Sequence, residues 1–165
     1  MDIFDEEIIL FWKSLQENEV EYIMVGGYAT NLHGYQRYTG DIDIWINNTI
    51  PNRKRLRKAF KDYGMGDFEP LERLQIVPGW TSFYLNNGMK LDLLVEMQGL
   101  ENLSFDQCLQ VASIADIEDV KVHFLHINQL IANKKAVNRP KDQLDVIYLE
   151  KIKLIQQEQQ PPKND

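Results

Sequence analysis

A single cysteine, Cys108, leaves the chain without an internal disulfide and suits a reducing compartment. It stands in the short amphipathic stretch FDQCLQV, where packing is the expected role. Histidines are also few, three in all. His33, His123 and His126 fall in no ligand spacing, and neither a CxxC nor an HExxH pattern is present, so no structural zinc is expected. No apolar run approaches the length of a bilayer-crossing helix and no charged-then-apolar leader opens the chain. The expectation is a cytoplasmic protein with no membrane contact. Positive charge is also in deficit, with 18 Lys and Arg against 25 Asp and Glu and a net charge of −7. That balance argues against non-specific wrapping of nucleic acid. There is no internal repeat.

What is present fits one ordinary domain. The chain has 165 residues, 44% hydrophobic and 26% charged, enough to bury a core without staples. Residues 1–155 read as that domain, and 156–165, QQEQQPPKND, as a disordered polar tail. Residues 4–15 predict a core-covering helix, since Ile8, Phe11, Trp12 and Leu15 recur at helical spacing behind acids that suit a first turn. A second helix is expected between Pro51 and Gly64, with Leu56, Ala59, Phe60 and Tyr63 inward. Its outer surface carries Arg53, Lys54, Arg55, Arg57, Lys58 and Lys61, read either as a solvated face or as an RNA-binding patch. A helical turn is expected at 70–74 and a short strand at 75–77. Residues 81–85 and 89–96, joined by Asn86-Asn87-Gly88, predict a hairpin. Helix at 103–110, strands at 112–117 and 120–125, and helices at 127–137 and 141–157 complete the reading. The last helix is expected to bury Leu144, Ile147, Tyr148, Leu149 and Ile152. All apolar residues then find places in one core, so no exposed stripe calls for a partner.

Residues 25–46, VGGYATNLHGYQRYTGDIDIWI, organise the chain. The apolar run Tyr22-Ile23-Met24-Val25 predicts a buried strand stopped by Gly26-Gly27. Glycines there let backbone N–H groups approach a ligand, and a helix opening near Gly27 favours a phosphate at its positive end. Then Asp41-Ile42-Asp43-Ile44-Trp45-Ile46 alternates acidic and apolar. On a strand Asp41 and Asp43 share a face, with Cα atoms roughly 6.6 Å apart. Carboxylates that close can clamp two divalent ions, which in two-metal sites stand about 3.5–4 Å apart. Asp92 stands alone among Leu91, Leu93, Leu94 and Val95, where burial is costly unless it is paired or metal-bound, so it is the third candidate ligand. Glu96 is a weaker substitute, and the plain alternative is an Asp92 facing water on an edge strand. His33 is expected to cap or pack.

At this point the sequence resembles the nucleotidyltransferase-fold, polymerase-beta-like superfamily, and within it the small nucleotidyltransferases related to the AbiEii toxin. The likeness rests on V-G-G-Y-A-x-x-x-H-G-x-x-R-x-T-x-D-I-D-I at 25–44 and L-I-A-N-K-x-A-x-x-R-P-K-D-x-x-D-V at 130–146. With Asp92 it spans roughly residues 20–150. It implies an α+β fold with a mixed central sheet flanked by helices. It implies that Gly26 and Gly27 touch a triphosphate, that Asp41 and Asp43 hold two Mg²⁺ ions, and that Asp92 shares one ion and activates the attacking hydroxyl. Lys134, Arg139 and Lys141, from the second block, are the expected cations for the phosphates, with Arg37 adding a contact. Many members carry Gly-Ser where this chain has Gly26-Gly27, so a serine hydroxyl contact is missing. Arg139 to Asp142 also reads as a plain helix junction, with Asp142 as N-terminal cap and Asp145 in a first-turn ion pair.

The function this implies is transfer of NMP from an NTP to a hydroxyl of RNA (tRNA included), a protein or a small molecule, with release of pyrophosphate. The resemblance adds a toxin–antitoxin or phage-defence role and a cognate toxin or antitoxin partner. Two other readings stand beside it. One is a non-catalytic nucleotide- or partner-binding module. The other is a metal phosphohydrolase, which leaves Gly26-Gly27 and the second block without a purpose.

Overall fold

The computed structural model describes residues 5–162. Phe4, where the first predicted helix begins, and 163–165 of the predicted tail lie outside the described residues. Among the described residues the strands are β1 (Tyr22–Val25), β2 (Asp41–Ile46), β3 (Ser82–Tyr84), β4 (Lys90–Leu94), β5 (Ser113–Ile117) and β6 (Val120–Phe124). They form one mixed sheet in the order β3-β4-β2-β1-β6-β5. β1 is antiparallel to β2 and parallel to β6, β2 is parallel to β4, and the outer pairs are antiparallel. The helices are α1 (Glu6–Glu17), α2 (Gly26–Leu32), α3 (Ile50–Tyr63), α4 (Phe105–Gln110), α5 (Ile127–Val137) and α6 (Pro140–Glu158), with a 3₁₀ turn at Glu69–Glu72.

One face of the sheet is closed by α1 and α3. Asp5 starts α1 by accepting a hydrogen bond from the Glu7 amide, and Ile8, Phe11, Trp12 and Leu15 are fully buried. Trp12 stacks on Tyr22, ring centroids 5.5 Å apart. Tyr22 pairs with Ile46 and Met24 with Ile44, so β1 and β2 turn these side chains to the same face. Thr49 caps α3 through the Asn52 amide, Pro51 fits its first turn, and Gly64 ends it at φ +108°. Phe60 of α3 meets Phe83 of β3 edge-on at 5.2 Å. Gly88 at φ +86° permits the turn of the β3–β4 hairpin.

Four expectations are corrected. Residues 75–77 form no strand, because Arg53 of α3 reaches across and donates to the carbonyls of Leu74 (2.6 Å) and Leu71 (3.4 Å), holding this segment against the helix instead of a sheet edge. The basic outer surface of α3 is smaller than its six cations suggest. Arg53 is buried, Arg57 forms a fork with Asp67 and bonds Glu72, and Lys58 pairs with Asp62. The last helix buries Asp142, Asp145 and Leu149, while Leu144, Ile147 and Tyr148 are exposed and Ile152 is only partly buried. It also runs to Glu158, three residues into the stretch read as tail.

Candidate active site

The strand register places the acids. Asp43 on β2 has Val25 of β1 beside it on one side and Asp92 of β4 on the other, while Asp41 stands beside Lys90. With Ile42 and Ile44 fully buried toward α1 and α3, side-chain alternation puts Asp41, Asp43 and Asp92 together on the opposite face. Asp92 is held by Ser82, whose hydroxyl donates to Oδ1, and by Lys90, whose Nζ is 3.6 Å from the same oxygen. Burial pushes the Asp43 carboxyl up to about 7, helped by the charges of Asp92 and Asp41 and a hydrogen bond with Asp92, and opposed by Lys134. Like charges crowd there without full compensation, a condition typical of functional sites.

The two glycines serve close approach, but to side chains of the protein itself. Gly26 has φ +73°, and a Cβ on it would overlap the Asp43 carboxylate. A Cβ on Gly27 would lie 2.8 Å from Thr39 Cβ, with the Thr39 hydroxyl nearer still. The space that a serine side chain at position 27 would need is therefore filled by Thr39. α2 begins at Gly26, one residue earlier than expected, and Val25 provides no side-chain cap for its first-turn amides.

Three of the four predicted cations gather around two buried carboxylates. Arg37 forks onto Asp145, with Nε 2.7 Å from Oδ1 and Nη2 2.8 Å from Oδ2. Lys134, 4% exposed in its side chain, sits 2.8 Å from Asp145 Oδ2 and 3.5 Å from Asp142 Oδ1. Arg139 donates to Asp142 through Nε at 2.6 Å and through its own amide at 3.1 Å. Arg139 is the N-cap residue of α6 and Asp142 the third helical residue that reaches back to it, so the predicted cap is one half of a capping box. Asp145 pairs with α5 and with the loop ahead of β2, not within its own first turn. Lys141 is exposed on α6 and does not line the cleft described next.

A cleft of about 560 Å³ opens over this face, lined among others by Gly26, Asp43, Asp92, Asn133 and Arg139. The volume suits a nucleotide-sized ligand. Pro78 and Gly79 contribute to its wall, and the next residue, Trp80, is 85% exposed. Pattern reading gave no weight to this Pro-Gly-Trp turn, because it belongs to no periodic segment. Arg37 and Lys134 do not line the cleft, although Lys134 is close enough to act on the charge of Asp43. Among the described residues no group of three or more His, Cys, Asp or Glu is arranged to hold a metal ion. The hard-oxygen pair Asp43 and Asp92, with Asp41 on the same face, nevertheless fits Mg²⁺, which uses one or two carboxylates and substrate oxygens. His33 donates through Nε2 to the Leu125 carbonyl at 2.7 Å and packs on Phe124, His126 caps α5, and Cys108 is buried.

A mixed sheet carrying these acids on its central strands, flanked by helices, is the nucleotidyltransferase fold, and this chain has it. Solved structures that share it include the following two. One is an antigenic nucleotidyltransferase-like protein from Paracoccidioides brasiliensis, 18% identical with a TM-score of 0.55, covering 87% of this chain and 74% of that one. The other is the lincosamide antibiotic adenylyltransferase LnuA with lincomycin bound, 16% identical with a TM-score of 0.56, covering 90% and 97%. No protein-family model matches the chain, and no curated protein matches it. No helix among the described residues is long and apolar enough to cross a membrane.

Proposed function

We propose that this protein is a Mg²⁺-dependent nucleotidyltransferase that moves NMP from an NTP to a hydroxyl acceptor. The observation that carries the reading is Asp43 set beside Asp92 on adjacent central strands at the cleft floor, with Asp41 on the same face. Asp41, Asp43 and Asp92 would hold the metal, which when bound supplies positive charge to the oxygens of the transferred phosphoryl group. Arg139, on the cleft wall, binds phosphate oxygens, and the Gly26-Gly27 backbone lies against the chain of phosphates. Asp92, with Oδ1 occupied by Ser82 and Lys90, takes the acceptor's hydroxyl proton at its second oxygen. A bond forms between the acceptor oxygen and the α-phosphorus as the bond to pyrophosphate breaks, so in-line placement of the acceptor is the main requirement.

A small-molecule acceptor is favoured over RNA. The net charge is −7, and of the α3 cations Arg57 is engaged by Asp67 and Glu72, Lys58 by Asp62, and Arg53 is buried. One neighbour of the same fold is an adenylyltransferase with an antibiotic bound, which fits that preference. A protein acceptor and a cognate toxin or antitoxin partner remain part of the proposal through the likeness of residues 130–146. The second reading, a nucleotide- or partner-binding module without turnover, draws on Arg37 and Lys134, both engaged by Asp145.

The test is incubation with Mg²⁺, each α-labelled NTP in turn, and hydroxyl acceptors of the three classes. Label transfer with pyrophosphate release, lost in Asp41→Ala and Asp43→Ala, supports the enzyme. NTP binding that changes Trp80 fluorescence with no transfer to any acceptor supports the module. Phosphate release from simple esters would instead indicate a phosphohydrolase.

A further inference from the structure

The strongest feature outside the cleft is α6. On one side it buries Asp142, Asp145 and Leu149, and on the other it exposes Leu144, Ile147, Tyr148, Leu154 and Ile155, each between 40% and 58% accessible. These positions recur at intervals of three, four and seven, with Lys151 completing the row, so they form a continuous stripe on one side of a 19-residue helix. Scattered exposed apolar residues are ordinary. A row of five on one helix is the pattern of a helix-pairing seam.

The charges at the two ends of this helix say what fits the seam. Lys141 is exposed in the first turn and Glu158 in the last, and the last turn has no basic residue. Both stand against the helix dipole, which favours acids at the start and bases at the end. Asp142 does not offset Lys141 at the surface, because it is buried and bonded to Arg139 and Lys134. A second α6 laid antiparallel along the stripe resolves both conflicts at once. It brings the partner's last turn, with its acid, to Lys141, and the partner's first turn, with its lysine, to Glu158. The seam is also self-complementary, since a two-fold axis near the helix midpoint sets Leu144 near the partner's Leu154 and Ile155, and Ile147 near its Lys151 and Ile152. A parallel second copy would instead juxtapose like charges at both ends.

We propose that the exposed face of α6 is a self-association surface, on which a second copy of this chain packs its own α6 antiparallel. The surface lies opposite the ionic cluster that joins α6 to α5. Each end contact is an exposed ion pair, and two of them together shift the dimer constant about five-fold at low salt.

Sedimentation equilibrium on the full chain tests this at concentrations up to roughly 100 µM, where even a weak specific dimer is populated. The wild type is expected to dimerise and Ile147→Glu to be monomeric with unchanged far-UV circular dichroism. Lys141→Glu raises the dissociation constant about five-fold, and Lys141→Glu combined with Glu158→Lys restores it, with both effects fading in high salt. A wild type that stays monomeric throughout overturns the proposal. So does a dimer that survives Ile147→Glu, or a charge swap that fails to restore association. The charge variants keep the fold, since each places charge where the helix dipole prefers it.

Discussion

Gly27 and Thr39 are fitted to each other. A serine at position 27 would thrust its Cβ into Thr39, so Gly27→Ser is expected to destabilise the protein by about 1–3 kcal/mol, the usual cost of overpacking. Adding Thr39→Ala makes room and recovers most of that loss, and urea unfolding of the three variants checks it. Asp43 sets a second residue-scale expectation. Its carboxyl holds a proton to about pH 7 in the fold and releases it near 3.8 when unperturbed, so between these values the folded state binds more protons than the unfolded one. Metal-free stability therefore falls as pH rises from about 4 to about 7, by a few kcal/mol at most at about 1.4 kcal/mol per unit. Added Mg²⁺ competes with that proton, so it should raise the melting temperature more at pH 8 than at pH 5.5. Scanning calorimetry across pH, with and without Mg²⁺, settles the sign.

Among the elements, α6 teaches most. Its buried face is drawn by Asp142, Asp145 and Leu149, spaced three and then four apart, and two of these are residues that any hydrophobic pattern assigns to water. Periodicity therefore misplaced Leu144, Ile147 and Tyr148 while putting Leu149 and, in part, Ile152 on the buried side, and it fixed the helix's length and start almost correctly. β1, β2 and α5 were legible to the residue, because their apolar runs are bounded by Gly26, Asp41 and Asn138 and need no distant partner to define them. The strand expected at 75–77 failed for the opposite reason, since a buried arginine on another helix decides that segment. Asp145 is the test at this scale. Asp145→Ala leaves Lys134 and Arg37 without their shared carboxylate, and breaking a buried pair from one side costs about 3–5 kcal/mol. Denaturant midpoints measure it. A loss under about 1 kcal/mol would mean the cluster holds nothing together.

For the whole molecule, charge and shape give the acceptor preference its measurable form. With a net charge of −7 and Arg57 and Lys58 of α3 engaged by acids, the protein is expected to show no salt-dependent retention of tRNA on filters at low ionic strength. Binding that weakens steeply as salt rises would return RNA to the list of acceptors. The site was legible as a set of residue types, since Asp41, Asp43 and Asp92 do share one face. Its second half was not, because no spacing in the sequence shows that Arg37, over a hundred residues away, is bonded to Asp145 and does not line the cleft.

The strand order has a consequence for biosynthesis. β2 and β4 are parallel neighbours, so the chain must travel back along the sheet, through α3 and β3, before Asp92 can come to rest beside Asp43. That return path covers the face away from the acids and keeps theirs clear. A nascent chain that has emerged only as far as the hairpin turn carries two of the three acids on a sheet that still lacks β4, β5 and β6, and the repulsion between Asp43 and Asp92 is deferred until β4 pairs with β2.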